Sequence, residues 1–130
     1  LFPLATPLLA PLIESGEKNW IKPVVTNYLT HFRSKKIDAL LLGCTHYGIV
    51  KKTFRELLPK HIAIVSQDTV IPKKTKEYLA RHPEIAMHLS KKGTREFYVT
   101  DITAELIKRA DAWFGKHIEV KKVTIEKPRA

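Results

Sequence analysis

The chain is poor in cysteine: its 130 residues contain one, Cys44. A single thiol cannot form an internal disulfide, so a disulfide-stapled scaffold is excluded and a cytoplasmic location is expected. The scarcity also argues against a metal centre. Cys44 and His46 offer two ligands, and the other histidines form no second pair at the spacing that metal sites use. We therefore expect no bound metal.

The chain also lacks a long apolar run. No stretch approaches the roughly 20 apolar residues of a membrane span, so we expect no membrane partner. The apolar opening, LFPLATPLLAPLI, has no basic leader, and its three prolines break the helix that the core of an export signal forms. It starts without methionine, and we interpret it as the inside of a larger protein. No phosphate-binding glycine loop occurs either.

Negative charge is scarce: 13 acidic residues accompany 23 basic ones, and the net charge is +10. Such a balance suits nucleic acid, anionic lipid or acidic metabolites as partners. The lysines are spread along the chain in pairs, however, and interleaved aromatic and basic residues of a base-stacking surface are missing. We interpret most lysines as solvated and expect no nucleic-acid partner. A non-catalytic basic binding module stays open as an alternative, and it predicts salt-sensitive binding.

What the chain does contain is a regular alternation of helix and strand patterns. Apolar residues recur at helical spacing over 18–33, and the apolar run Ala39–Leu42 is typical of a strand covered on both faces. The predicted order is a helix over 18–33, a strand over 39–42, a helix over 50–58, a strand over 61–65, a helix over 72–81 begun near Pro72, a helical turn within 83–90, a strand over 96–100, a helix capped by Asp101 that exits at Gly115, and an edge strand over 118–125. Repeated units of this kind predict an α/β fold, three-layer, with a largely parallel sheet.

The only cysteine lies in LLLGCTHYGIV, residues 40–50, where an apolar strand ends and a helix is expected to begin. Ligands of open α/β sheets bind at the carboxyl ends of strands. Unpaired N–H groups at a helix start favour a thiolate over a thiol, and His46 is close enough in sequence to stabilise that thiolate or exchange a proton with it. Gly43 allows a tight turn and a close approach by a ligand. The pattern indicates a reactive Cys44.

The same helix start suits an anion. Its N–H groups, together with the Thr45 hydroxyl, would accept a substrate carboxylate. Two other interpretations stay open at this point. A lone cysteine at a strand end is most often a small buried hydrophobe. A cysteine–histidine hydrolase would need an oxyanion hole and an orienting residue, which no pattern in the chain indicates.

Two segments resemble bacterial glutamate racemases. LLLGCTHYGIV is similar to the second cysteine motif of that family, and ATPLLAPLIESGE, residues 5–17, is similar to the family segment that ends in Pro-Leu-Val-Glu and a glycine two residues later. The spacing, with one amphipathic helix between the two, also agrees. The similarity extends to FYVTD and to the helix through WFG. Family members are roughly twice this length, so the resemblance implies a C-terminal half.

The resemblance implies one lobe, plus the tail of the other, of a two-domain racemase fold. Residues 1–66 would form the part of the lobe with the second cysteine motif, and residues 67–130 the C-terminal portion that packs back on the N-terminal lobe. The missing N-terminal half would be the main partner, because it carries the family's first catalytic cysteine. The 130-residue chain by itself is expected to be inactive as a racemase. Family members commonly dimerise, which makes a homodimer a second candidate assembly.

The resemblance also implies the reaction, which is racemisation of glutamate by two bases without a cofactor. Cys44 would be one thiol of the pair, His46 would hold or relay its proton, and Glu14 would tune charge near the reacting ammonium group. Thr45 would bind a substrate carboxylate at the turn that Gly43 opens. The family's product, D-glutamate, enters bacterial peptidoglycan. A racemase for aspartate or another amino acid is the alternative within the superfamily, and the histidine after Cys-Thr favours glutamate.

Overall fold

The computed structural model describes residues 1–125. They fold as two compact units, of which the first is Leu1–Met87 and the second begins at His88. Helices and strands alternate in both, so the predicted α/β class is confirmed. The proposed boundary between residues 66 and 67 concerns packing on a lobe outside this chain, and it stays a prediction.

The first unit is built around two parallel strands. Its elements in chain order are α1 (Leu9–Ser15), α2 (Lys18–Thr30), β1 (Ala39–Leu42), a 3₁₀ helix (Thr45–Gly48), α3 (Lys51–Leu57), β2 (Ala63–Ser66), α4 (Gln67–Arg81) and α5 (Pro83–Ala86). β1 and β2 pair in parallel, with Ala39 opposite Ala63 and Leu42 opposite Ser66. Parallel strands need a long crossover, which here runs through the 3₁₀ helix and α3. Both strands therefore end at the same edge of the sheet.

The core of the first unit lies between α1, α2, α3 and one face of the sheet. Its buried residues are Leu9 and Ile13 of α1, Ile21 and Val25 of α2, Leu42 of β1, and Val50 and Phe54 at the start of α3. Within α1 and within α2 the buried pair is four residues apart, which places both side chains on one side of the helix. This packing fixes α1 and α3 around the end of β1.

The other face of the β1–β2 sheet is exposed, and the prediction that β1 is covered on both faces is wrong. Successive side chains of a strand point to opposite faces. Leu42 and Ser66 point to the core, whereas their neighbours Leu41 and Val65 are 64% and 37% exposed. Within the first unit, the helices that carry the buried cluster pack against one face of the sheet only.

Two helix starts differ from the sequence-based expectation because of prolines. α1 is not predicted, yet it forms with Pro11 as its third residue, where the N–H that proline lacks has no partner in any helix. α4 starts at Gln67, directly after β2, and Pro72 lies inside it. The predicted start at Pro72 rests on the preference of proline for the first helical position.

Within the described residues, no helix has the length and apolar character that a membrane crossing needs.

The second unit contains β3 (Phe97–Val99), α6 (Ala104–Phe114) and β4 (Val120–Lys122). β3 and β4 pair in parallel, with Phe97 opposite Val120. The hydroxyl of Thr103 caps α6 by accepting the N–H of Leu106 at 3.1 Å, so the predicted cap at Asp101 is wrong. Asp101 instead lies 3.1 Å from the ammonium of Lys122. The predicted exit at Gly115 is confirmed by its left-handed conformation, φ 69°.

Candidate active site

Cys44 lies at the carboxyl end of β1, immediately before the 3₁₀ helix. Its backbone is extended, with φ −123° and ψ 142°, and the residue is half-buried. Because β1 and β2 are parallel and in register, the end of β2 at Ser66 lies beside the end of β1. The cysteine motif is therefore placed as predicted, at the end of a strand and the start of a helix. The helix that starts there is a short 3₁₀ helix, and α3 follows it.

A series of three side chains runs away from the thiol. Nδ1 of His46 is 3.6 Å from Sγ of Cys44, and Nε2 of His46 is 2.7 Å from Oε1 of Glu14. Cys44 and His46 are two residues apart, whereas Glu14 lies on α1, 32 residues before His46. The structure thus brings together the three residues that the sequence analysis names as catalytic candidates. We call this series the Cys44–His46–Glu14 relay.

The contact with Glu14 determines which tautomer His46 presents to the thiol. A carboxylate only accepts hydrogen bonds, so Nε2 of His46 carries a proton, and this N–H donates a hydrogen bond to Glu14. In a neutral imidazole Nδ1 then has the lone pair, which is the arrangement that takes a proton from Cys44. Transfer of that proton leaves a thiolate beside an imidazolium, with the Glu14 carboxylate as the third, stabilising group. The side chains of His46 and Glu14 are 27% and 42% exposed, so water reaches this contact.

A second contact joins the 3₁₀ helix to the segment just before α1, and no sequence pattern indicates it. The hydroxyl of Tyr47, on the 3₁₀ helix, is hydrogen-bonded to the hydroxyl of Thr6 and lies 3.4 Å from the Thr6 carbonyl oxygen. That carbonyl also accepts the N–H of Leu9, the first residue of α1. Tyr47 and Thr6 are 41 residues apart, so no local pattern in the sequence signals their contact.

The two predicted substrate-binding residues, Gly43 and Thr45, flank Cys44 and are both exposed. A Cβ added at Gly43 would meet no atom within 4 Å, so the space beside this residue is open. Gly43 does not have a positive φ, and other residues adopt its backbone conformation. The turn itself therefore does not require glycine. Binding of a substrate carboxylate by Gly43 and Thr45 stays a prediction.

A charged cluster at the start of α4 borders the 3₁₀ helix. Nζ of Lys51 is 3.2 Å from Oδ2 of Asp68 and 2.5 Å from the hydroxyl of Thr69. A Cβ added at Gly48 would lie 3.4 Å from the Asp68 side chain. The pKa of Asp68 is lowered, chiefly by a hydrogen bond from the Ser66 hydroxyl and further by Lys51, and these outweigh the desolvation that raises it. No sequence pattern indicates this cluster.

A cavity of about 670 Å³ lies at the opposite, amino end of the β1–β2 sheet. Its basic and acidic lining residues are Arg33, Lys35, Lys36 and Asp38, His61 adds an imidazole, and the rest of its lining is largely apolar. None of the residues of the Cys44–His46–Glu14 relay contributes to it. In the part of the chain that the structure describes, no three His, Cys, Asp or Glu side chains are grouped closely enough to hold a metal ion.

The chain is similar in sequence to proteins named glutamate racemase. Glutamate racemase 2 of Caldanaerobacter subterraneus subsp. tengcongensis is 32% identical over 126 residues, which cover 95% of this chain and 47% of that protein. The glutamate racemase of Persephonella marina is 32% identical over 123 residues, which cover 93% of this chain and 44% of that protein. The chain is a relative of the glutamate racemases. No protein-family profile matches it.

Solved structures of glutamate racemases have the same fold as this chain over the part that superposes. The isoform RacE1 of Bacillus anthracis superposes with a TM-score of 0.77 at 25% identity, over 93% of this chain and 46% of that one. The Francisella tularensis enzyme, solved in complex with D-glutamate, gives a TM-score of 0.75 at 25% identity, over 92% of this chain and 45% of that one. The chain thus spans less than half the length of the racemases that it matches. Such coverage is consistent with the predicted C-terminal half.

Proposed function

We propose that the chain supplies one half of a glutamate racemase active site, in which Cys44 removes or returns the proton on Cα of the substrate. The observation that carries this proposal is the relay from Cys44 through His46 to Glu14 at the carboxyl end of β1. It gives the thiol a partner that takes its proton and a carboxylate that holds this partner in the required tautomer. The relatives named as glutamate racemases support the choice of reaction.

Racemisation requires a proton to leave one face of Cα and another to arrive on the opposite face. For one enantiomer, the Cys44 thiolate takes the Cα proton and becomes a thiol, and the electron pair of the broken C–H bond stays on the substrate as a carbanion. An acid on the opposite face then donates its proton to that carbanion and is left as its conjugate base. For the other enantiomer Cys44 is the donor. Only protons are exchanged, and we propose that no cofactor takes part.

The second acid in this proposal comes from outside the chain, because Cys44 is the only cysteine in its 130 residues. The matched racemases are more than twice as long as the matched segment, which supports an N-terminal half as the source of a second thiol. The chain by itself is then inactive as a racemase. Two facing thiols would oxidise to a disulfide in an oxidising compartment, so the proposal places the enzyme in the cytoplasm.

Recognition of the substrate is assigned to the residues beside the thiol. The Thr45 hydroxyl and the N–H groups next to Gly43 would bind a carboxylate, since both residues are exposed. D-glutamate in the Francisella tularensis structure supports a small dicarboxylic amino acid as the ligand. We propose that the product supplies D-glutamate for peptidoglycan. Aspartate is the alternative substrate, because it has the same charged groups on a shorter side chain.

The test uses the protein purified from its own cells, after its intact mass has been compared with the 14.9 kDa of this chain. Turnover of L-glutamate and of L-aspartate is measured side by side by circular dichroism, before and after alkylation of the protein with iodoacetamide. Peptide mapping by mass spectrometry follows the modification of Cys44 with and without D-glutamate. We expect glutamate to be racemised, alkylation of Cys44 to abolish this activity, and D-glutamate to slow that alkylation.

Faster turnover of aspartate than of glutamate would select the alternative substrate. Absence of turnover with either amino acid, together with unchanged alkylation of Cys44 in the presence of D-glutamate, would overturn the proposal. Racemisation that survives complete alkylation of Cys44 would remove the thiol from the mechanism.

A further inference from the structure

The contact between Tyr47 and Thr6 connects the two elements that carry the proton relay. Tyr47 follows His46 on the 3₁₀ helix, and Thr6 precedes α1, the helix that carries Glu14. The relay crosses between the same two elements through the 2.7 Å contact of His46 with Glu14. The 3₁₀ helix is therefore joined to α1 within the relay, and to the segment that leads into α1 outside the relay. We call the contact outside the relay the hydroxyl bridge.

The Thr6 end of the hydroxyl bridge is part of the start of α1. The Thr6 carbonyl accepts the N–H of Leu9 at 3.1 Å, which closes the first turn that leads into the helix. The Tyr47 hydroxyl lies 3.4 Å from the same carbonyl and also bonds the Thr6 hydroxyl. Leu9 is fully buried in the core. A displacement of Thr6 is therefore passed on to α1 and to the residues that α1 carries.

The Tyr47 end is connected to the thiol. The N–H of Tyr47 donates to the carbonyl of Cys44 at 3.1 Å, within the turn that opens the 3₁₀ helix. The Tyr47 ring lies 6.3 Å, between centroids, from the ring of Phe54, which is 5% exposed in the core. Tyr47 is thus held by the backbone of Cys44 on one side and by a buried aromatic ring on the other. Its hydroxyl has a fixed position from which to hold Thr6.

From these contacts we propose that Tyr47 and Thr6 are positioning residues for Cys44. The hydroxyl bridge sets the separation of α1 from the 3₁₀ helix, and so keeps the Glu14 carboxylate within hydrogen-bond reach of His46. A hydrogen bond to a carboxylate weakens when its two atoms move apart by a few tenths of an ångström, so a second contact beside the relay affects it. The role in catalysis rests on the proposed function, whereas the effect on the thiol is measurable without it.

Other charged groups on the elements around the 3₁₀ helix must be held constant in any test. Those whose contacts lie beside the 3₁₀ helix are Glu14 on α1, Lys51 at the start of α3 and Asp68 on α4, whereas the packed strand β1 is wholly apolar. The informative substitutions are therefore those that remove a hydroxyl and leave these three charges in place. Tyr47→Phe keeps the ring against Phe54, and Thr6→Val keeps the branched shape of threonine.

The experiment uses the native protein, and the reporter is the alkylation of Cys44 itself. The rate at which iodoacetamide modifies Cys44 is followed by peptide mapping from mildly acidic to alkaline pH, and circular dichroism confirms that each variant is folded. Tyr47→Phe and Thr6→Val are expected to slow alkylation at neutral pH about two- to five-fold, as the loss of one hydrogen bond implies. Their pH profiles should move toward that of Glu14→Gln. Thr6→Ser retains a hydroxyl and should keep the wild-type profile.

Tyr28→Phe is the matched control. The Tyr28 hydroxyl accepts the N–H of Leu8 at 3.3 Å, so this change also removes a tyrosine hydroxyl from the start of α1. Tyr28 lies on α2, however, and its hydroxyl does not connect α1 to the 3₁₀ helix. The alkylation profile of Tyr28→Phe should therefore match that of the wild type.

Wild-type profiles for both Tyr47→Phe and Thr6→Val, with an altered profile for Glu14→Gln, would overturn the positioning role. An equal change in Tyr28→Phe and Tyr47→Phe would also overturn it, because the effect would then be a general loosening of α1. A wild-type profile for Glu14→Gln would overturn it as well, since the bridge acts through Glu14. Failure of the proposed function is a separate result: absence of racemisation by the native protein, with the expected alkylation pattern intact.

Discussion

The two ends of the β1–β2 sheet offer different kinds of site. The carboxyl end carries a thiol, an imidazole and a carboxylate in mutual contact, from Cys44 through His46 to Glu14. The amino end carries a cavity of about 670 Å³ with basic side chains such as Arg33 and Lys35 in its lining. The cavity offers space and positive charge, whereas the relay offers a path for a proton. Contacts among titratable groups are therefore the better guide to the chemistry of this chain than the size of a cavity.

The difference between the two ends follows from the course of the chain. At the carboxyl ends the strands lead into helix starts, and side chains from several elements meet there. At the amino end α3 finishes, and its last carbonyl groups need donors. The guanidinium of Arg55 donates to the carbonyls of Leu58 and Ile62, at 3.1 and 2.8 Å. The positive charge of Arg55 at this end thus has a structural use.

The largest effect, a loss of folding stability, is expected from a substitution in the buried core that supports both ends of the β1–β2 sheet. Phe54 is 5% exposed and belongs to the buried cluster that links α1, α2 and β1. Phe54→Ala should lower the unfolding free energy by about 3–5 kcal/mol in urea denaturation, because it deletes a buried ring and leaves a cavity. Ile49→Ala truncates a residue that is 49% exposed and should cost less than about 1 kcal/mol. Equal losses in the two variants would contradict the assigned core.

The second largest effect is a loss of racemisation caused by a change at the carboxyl end of the β1–β2 sheet alone. Glu14→Gln replaces the carboxylate that His46 contacts and should slow racemisation by the native protein about ten- to a hundred-fold, as expected for the loss of a charged hydrogen bond. Unfolding in urea should change little, since the Glu14 side chain is 42% exposed. Glu17→Gln makes the same change on an exposed neighbour and is the control. Comparable activity in both variants would show that Glu14 does not act through His46.

A smaller effect is expected from the Asp68 cluster, and it depends on pH. The pKa of Asp68 is lower in the folded chain than its usual value of 3.8, so its ionised form stabilises the fold at neutral pH. That contribution is fully present above the unfolded value and disappears as the pH falls through the folded value. Asp68→Asn should therefore lower the unfolding free energy slightly at neutral pH and not at all in strong acid. A difference that persists in strong acid would contradict the ionic origin.

The smallest effect is expected at the amino end. The double substitution Lys35→Gln and Lys36→Gln removes two positive charges from the lining of the cavity. Because no residue of the relay lies there, racemisation by the native protein and alkylation of Cys44 should both stay within about two-fold of the wild type, the range expected of solvated surface charges. A ten-fold loss of racemisation would show that the amino end takes part in the reaction and would break the contrast between the two ends.

Much of the fold is predictable from the sequence, because the buried residues of each element are close together along the chain. The strand at Ala39–Leu42 is predicted with the same bounds that the structure shows, and the helix from Lys18 is predicted within a few residues. The start of α4 is missed because proline at position 72 is taken for a first helical residue. The exposed outer face of the sheet is missed because apolar side chains such as Leu41 are taken for buried ones.

The candidate site, like the fold, is predictable where its residues are close in sequence and is missed where they meet only through tertiary packing. The proximity of Cys44 and His46 is predictable because only one residue separates them. The approach of Glu14 to His46 is a tertiary contact between α1 and the 3₁₀ helix, and the sequence supports it only through the resemblance to the racemases. The hydroxyl bridge between Tyr47 and Thr6 has no such support, since it depends on how α1 packs. Local patterns therefore predict where the thiol and the imidazole lie, and packing determines their other contacts.

The central claim is that Cys44 exchanges a proton with one face of glutamate. The most direct test incubates the native protein and its Cys44→Ser variant with L-glutamate and with D-glutamate in D₂O, and follows deuterium at Cα by proton NMR. The wild type should label and racemise both enantiomers. The variant should racemise neither and label at most the enantiomer whose proton the opposite thiol removes. Racemisation by the Cys44→Ser variant at the wild-type rate would show that Cys44 is not one of the two bases.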